Sequence, residues 1–195
     1  MTRDLHALLR QQTADLHRRL DSAPALLALM RPGLTPRAYA EALRRYEAAH
    51  AGVEPALQVL APACPPGLPP YRSRLPALHA DLAWLQAPPP APPERSGAGP
   101  AMGPAAYLGM RYVLEGSTQG ARVISARLAR HLPQACEQAS AFWRLQACAA
   151  AGWPALCACL DRPPRDAVEQ ADILQGARFA FATFIDVFLA AEPPS

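Results

Sequence analysis

Proline sets the limits of everything regular in this chain. Twenty-three of its 195 residues are proline, which is tolerated at the start of a helix but, lacking an N–H and clashing with the preceding turn, not in its interior. The regular elements must therefore fit between prolines. In those gaps Ala and Leu dominate while Val, Ile and Thr are sparse, which leaves almost no strand signal and predicts an all-α fold. Hydrophobic residues make up 51% of the sequence, enough at this length for one domain with a sizeable core, spanning residues 1–195.

The first helix is expected from about Thr2 to Asp21, with Ser22 and Pro24 opening a short second piece. Thr35 before Pro36 reads as an N-cap with proline at the first helical position, starting a helix through Tyr39, Leu43 and Tyr46 to about His50. Pro62, Pro65, Pro66, Pro69 and Pro70 forbid regular helix until about Ser73, where a helix to Leu85 begins. The stretch APPPAPPERSGAGPAMGP, Ala87 to Pro104, reads as an internal loop of polyproline character. Helix resumes from about Ala105 to His131 and again from Pro133 to about Gly152, and a short segment reaches Leu160. Asp161 to Pro164 makes a turn, and a last helix runs from Arg165 to about Ala191. No internal repeat is present.

Composition removes several function classes. All 19 residues of the Lys+Arg count are Arg, and Asn is absent as well, which excludes Schiff-base lysine chemistry, a P-loop lysine and an Asn-dependent triad. A net charge of +3 with dispersed Arg is no nucleic-acid signature. The five cysteines, Cys64, Cys136, Cys148, Cys157 and Cys159, include no zinc-type pair and read as free thiols in a reducing compartment. The start reads as no signal peptide, and the apolar stretch around Leu145 to Leu160 is too short for a membrane span and is interrupted by Gln146, Gly152 and Pro154. A cytoplasmic protein is expected.

Two stretches carry more than core-building residues. Along the first helix Leu5, Leu8, Leu9, Leu16 and Leu20 share one face, the stripe of an amphipathic core helix. Beside it His6, Arg10, Thr13, His17 and Asp21 recur at spacings of three and four, so polar groups edge the buried face. Arg10 and His17 lie two turns apart, about 10.5 Å along the axis. That pairing suits a flat, apolar, anionic ligand held by its centre and its edge; a surface histidine without a ligand is the plainer reading of the same stripe.

In the second stretch, YVLEGSTQGARVI from Tyr112 to Ile124, Gly116 and Gly120 stand one helical turn apart, each at a cost of about 1 kcal/mol against Ala. Bare backbone permits close approach to a flat surface, or equally a tight helix crossing. Ser117 and Thr118 add hydroxyls that can anchor water. Together the two stretches point to a slot for a planar macrocycle.

RQQTADLHRRLD resembles the proximal-helix motif of heme oxygenases, and YVLEGSTQGARVI resembles the distal-helix motif of the bacterial branch associated with bacteriophytochromes. The likeness extends to LPALHADLAWL, Leu75 to Leu85, and covers most of the chain in order. It implies a heme oxygenase-like multi-helix bundle with heme between the proximal and distal helices. By the resemblance, His17 is the axial ligand of the iron, Asp21 the acid that steadies its imidazole, and Arg10 the basic residue for a heme propionate. Arg111 is a second candidate for that grip, and Thr13 shares the heme-facing flank. Gly116 and Gly120 are implied as the distal residues whose backbone flanks bound oxygen, with Ser117 where other branches place a water-organising carboxylate. Phe181, Phe184 and Phe188 are placed to close the apolar side of the pocket, or else to pack the core. Where the family usually has a second consecutive glycine this chain has Ala121, whose methyl either pushes the helix off the macrocycle or points away. Cys64 with Pro65 matches a minimal heme-regulatory dipeptide and is read as chance.

The resemblance also implies an activity: cleavage of heme, as substrate and cofactor, with O2 and external electrons to biliverdin, CO and Fe2+. No flavin or nicotinamide motif is present, so electrons are expected from a separate ferredoxin or reductase, and an Arg-bearing rim suits an acidic donor. The bilin is expected to supply a bacteriophytochrome. The alternative is a heme-binding sensor or carrier on the same fold, for which Ala121 is the argument.

Overall fold

In the computed structural model, which describes residues 5–87, 101–162 and 166–190, the regular elements are all helical among the described residues. In chain order they are α1 (Leu5–Asp21), α2 (Pro24–Met30), α3 (Pro36–Val59), α4 (Leu75–Trp84), α5 (Ala106–Gly116), α6 (Ala121–His131), α7 (Pro133–Gln138), α8 (Ala141–Ala149), α9 (Trp153–Leu160) and α10 (Ala167–Leu189). The expected all-α domain is what forms. The expected helix start at Thr2, most of the Pro/Ala/Gly loop, the turn at Pro163 and Pro164, and the expected ends of the last helix at Arg165 and Ala191 lie outside the described residues.

Local chemistry sets several boundaries. The Thr35 hydroxyl accepts from the Ala38 N–H at 3.2 Å, with Pro36 opening α3 behind it. Asp166 caps α10 in the same way, accepting from the Glu169 N–H at 2.7 Å. α3 runs past the expected end at His50 to Val59 and carries Pro55 inside it. An interior proline costs about 3 kcal/mol. Here Pro55 faces solvent while Val53 and Leu57 continue the buried stripe, and burial of about 1.5–3 kcal/mol for each such side chain offsets the loss.

Two helices expected to be continuous are broken. Between α5 and α6 the chain tightens into a 3-10 turn, Ser117–Gly120. There Ser117 Oγ donates to the Leu114 carbonyl at 2.7 Å and Thr118 Oγ1 to that of Glu115 at 2.6 Å, local bonds that compete with the helical ladder. Between α7 and α8 the cause is remote. The Asp81 carboxylate, on α4, accepts from the N–H groups of Ala141 at 2.8 Å and Phe142 at 2.9 Å, while the Tyr39 hydroxyl donates to the Ala139 carbonyl at 2.6 Å.

α10 is the spine, packed along α5, α1 and α3. At two points its contact with α5 is backbone on backbone. A Cβ on Gly109 would come 1.8 Å from the Ile173 carbonyl oxygen, and one on Gly176 would come 2.1 Å from that of Ala106. Only glycine fits either position. At the far end of α10, Arg45 Nη1 donates to the carbonyls of Val187 (2.7 Å), Phe188 (3.2 Å) and Ala190 (3.1 Å), satisfying acceptors that a helix terminus leaves open.

Candidate functional site

α1 turns Leu5 and Leu9 into the core and leaves a polar flank beside them. Thr13 lies on the buried side, its hydroxyl bonded to the Leu9 carbonyl at 2.8 Å. His17 and Asp21 stay outside, their side chains 64% and 62% exposed, with Asp21 Oδ2 2.8 Å from His17 Nδ1. The carboxylate selects the tautomer with its proton on Nδ1, so in the neutral ring Nε2 keeps a free lone pair. Behind the imidazole stands Phe181, edge-on at 6.0 Å between centroids. Metal-binding histidines have an acid partner of this kind, and an exposed i,i+4 surface pair has the same geometry. Among the described residues no group of three or more His, Cys, Asp or Glu is placed to hold a metal ion. A metal at His17 would therefore need ligands from beyond a cluster of such side chains.

Two turns back along α1, Arg10 is exposed. It and Thr13 adjoin Tyr112 of α5. Burial pushes the Tyr112 phenol up, opposed by its hydrogen bond with Thr13 and by the Arg10 charge. His6, Tyr112 and Trp153 then join α1, α5 and α9 in one aromatic cluster, with centroids 5.7 to 5.9 Å apart.

Gly116 of the second motif lies against Trp153 of this cluster, with Gly120 one turn further on. A Cβ on Gly116 would meet the Trp153 ring at 3.6 Å, an ordinary contact, and one on Gly120 would meet nothing within 4 Å. The fold itself therefore requires glycine at neither position, unlike Gly109 and Gly176. Bare backbone at 116 and 120 leaves room there for the close approach of a flat surface. Ala121 follows with its methyl wholly buried in the core. Ser117, exposed at the turn, donates to Leu114 and accepts from Gln146 Nε2 at 3.2 Å.

Three expected ligand contacts sit elsewhere. Arg111 is buried, with Nε bonded to Glu115 at 3.1 Å, Nη1 to the Tyr107 hydroxyl at 2.7 Å and Nη2 to the Pro69 carbonyl at 3.1 Å. A guanidinium with all three nitrogens engaged inside the protein offers no grip to an external carboxylate. Phe184 and Phe188 stack on one another at 6.2 Å and pack against Tyr46, and Phe184 also meets His50. They belong to the core, and of the three phenylalanines Phe181 is the one beside His17.

Sequence reasoning missed Trp153, Tyr112 and Gln146. Tyr112 was visible as the residue one turn before Gly116 on the same face. Gln146 was noticed only as an interruption in an apolar run, although a glutamine there must find buried partners. It belongs to a polar network beneath the site: Arg74, buried, donates from Nε to Gln146 Oε1 at 2.8 Å, from Nη2 to Glu115 at 3.3 Å and from Nη1 to the Arg72 carbonyl. The Arg74 N–H donates to Glu54 at 2.8 Å, and Glu54 also accepts from Ser73 and from Tyr71 at 2.9 Å. Burial opposes ionisation of Glu54, but hydrogen bonds from His50, Ser73 and the Arg74 N–H outweigh it and hold its carboxyl below the usual value. Burial likewise holds His50 below its ordinary value, against the pull of Glu54, and its Nε2 meets no partner.

No helix among the described residues is long and apolar enough to cross a membrane. The sequence pattern of the family described as heme oxygenase matches residues 3–190. A heme oxygenase of Xanthomonas campestris pv. campestris (strain 8004) is 38% identical over 156 residues, which span 79% of this chain and 90% of that protein. The solved structure of a heme oxygenase from Leptospira interrogans shares the fold with a TM-score of 0.66 at 18% identity, covering 95% of this chain and 98% of that one.

Proposed function

The chain belongs to the heme oxygenase family, and from that premise we propose that heme lies between the polar flank of α1 and the glycine turn after α5, with His17 as its protein ligand. The observation that carries this reading is the 2.8 Å contact of Asp21 with His17 Nδ1, which leaves Nε2 of an exposed ring free beside an acid that orients it.

Each further residue has a task in this reading. Arg10, exposed two turns from His17, pairs with a propionate. Thr13 holds Tyr112 at the junction of α1 and α5. Phe181 and Trp153 supply apolar walls behind His17 and beside Gly116. The backbone at Gly116 and Gly120 lets the macrocycle approach closely, and Ser117 anchors water there. Bound heme supplies the redox chemistry and, in its own ring, the carbon that is oxidised. The chain positions and restrains. A neutral imidazole, unlike a thiolate, does not push strongly for O–O cleavage, and a serine whose proton is committed to Leu114 presents no strong acid on the opposite face.

Electrons come from a separate ferredoxin or reductase, and the bilin serves a bacteriophytochrome. Support for that destination is the resemblance of YVLEGSTQGARVI to the phytochrome-associated branch. The carrier alternative rests on Ala121, whose methyl lies in the core, and turnover of the hemin-loaded chain separates the two readings.

The test is aerobic reduction of the hemin-loaded chain with an electron donor, followed by chromatography of the pigment. Loss of the Soret band with release of biliverdin is expected, and a persistent Soret band would sink the reading. Uptake of that pigment by a bacteriophytochrome apoprotein, read as a new red absorbance, tests the destination separately.

A further inference from the structure

Gln146 is 1% exposed and lies between two partners on other elements. Its Oε1 accepts from Arg74 Nε at 2.8 Å and its Nε2 donates to Ser117 Oγ at 3.2 Å. The orientation of an amide is usually inferred from its surroundings, and here the surroundings leave one choice. Arginine has only donors, so the amide oxygen must face Arg74 and the NH2 must face Ser117. Arg74 cannot turn to suit anything else, because its other nitrogens are held by Glu115, the Arg72 carbonyl and Glu54.

The constraint passes on to the serine. Facing an N–H, the Ser117 oxygen can only accept, and its own proton goes to the Leu114 carbonyl at 2.7 Å. A hydroxyl has one donor and two lone pairs. One lone pair of Ser117 thus remains unengaged, and it is an acceptor.

Resting on the heme reading above, we propose that Gln146, locked by Arg74, is a positioning residue that fixes the hydrogen-bond polarity of Ser117 on the distal side. Water at the turn must give one O–H to Ser117, which leaves its second O–H to point at whatever the heme carries. The proton presented to the ligand is therefore a water proton and never the serine's own. Gln146 touches no ligand and acts through Ser117.

The experiment uses the full chain loaded with hemin and reads the midpoint pH of the acid-to-alkaline change in the ferric visible spectrum. Hemin titration and thermal unfolding of the hemin-free chain run alongside. Ser117→Ala and Gln146→Met are each expected to move the midpoint in the same direction by about 0.3 unit or more, and the double variant to move it no further than Ser117→Ala alone. Should Gln146→Met fail to fold, Gln146→Glu takes its place: it keeps an acceptor toward Arg74 and puts an acceptor where Ser117 needs a donor. Its shift is then expected with Ser117 present and to fall to less than half in the Ser117→Ala background. A Gln146 variant with an unchanged midpoint, or a shift that adds in full to that of Ser117→Ala, overturns the proposal. A chain that takes up no hemin overturns the heme reading itself, and the proposal with it.

Discussion

Asp21 and His17 stand one helical turn apart on the outside of α1, joined at 2.8 Å through Oδ2 and Nδ1. An exposed pair of this kind contributes little to stability, so a marked effect of Asp21 on hemin binding would have to come through the orientation of the ring. His17→Ala is expected to abolish turnover with partial recovery on adding imidazole, and Asp21→Ala to weaken hemin binding by about 10–100-fold. Spectrophotometric hemin titration and bilin yield measure both. Unchanged turnover in His17→Ala would remove the axial assignment.

The two arginines once grouped as propionate partners should now separate. Arg10→Glu is expected to weaken hemin binding or alter the ratio of bilin isomers while leaving the hemin-free chain as stable as before. Arg111→Ala instead strips a partner from buried Glu115 and should cost about 3 kcal/mol of folding free energy in urea unfolding. Equal loss of stability in the two variants would contradict the division.

Glycine substitutions discriminate in the same manner. Gly120→Ala adds a methyl where nothing lies within 4 Å, so the hemin-free chain should hold its stability or gain up to about 1 kcal/mol while hemin affinity falls. Gly109→Ala drives a methyl into the Ile173 carbonyl and should prevent folding or cost at least about 3 kcal/mol. Full hemin affinity in Gly120→Ala would place the ligand elsewhere.

Much of this was legible in the sequence where cause and effect sit close together. Thr35 with Pro36 marked the start of α3, and a spacing of four placed Asp21 within reach of His17. Arg111 shows the limit of such reasoning. Its nearness to Gly116 suggested the ligand, yet Tyr107 and Glu115, four residues to either side, were waiting as internal partners. The break between α7 and α8 could not be read locally, because its cap comes from Asp81 and its carbonyl lock from Tyr39. Nor could the need for Gly109 and Gly176, which exists only because α5 and α10 meet there.

Acid should unfold the chain through the polar network under the site. Burial lowers His50 from its ordinary 6.5, and hydrogen bonds lower Glu54 from 4.5 against the opposing effect of burial. The native state therefore resists protonation at both positions and the unfolded state does not, so unfolding takes up protons and stability rises with pH. The His50 contribution is complete above about pH 6.5 and is lost as pH falls toward its folded value; that of Glu54 is complete above about pH 4.5 and is lost as pH falls through its own. Urea unfolding of the hemin-free chain should show stability declining from pH 7 to 4, with the upper part of the slope missing in His50→Gln. An identical slope in that variant would rule His50 out.

Main chain resting on main chain at Gly109 and Gly176 gives α5 a fixed jaw. At that crossing no side chain separates the two helices, so a shift of the first half of α5 along its neighbour would drive backbone into backbone. Any give must come past Leu114, where Ser117 and Thr118 borrow carbonyls from the ladder and the winding tightens.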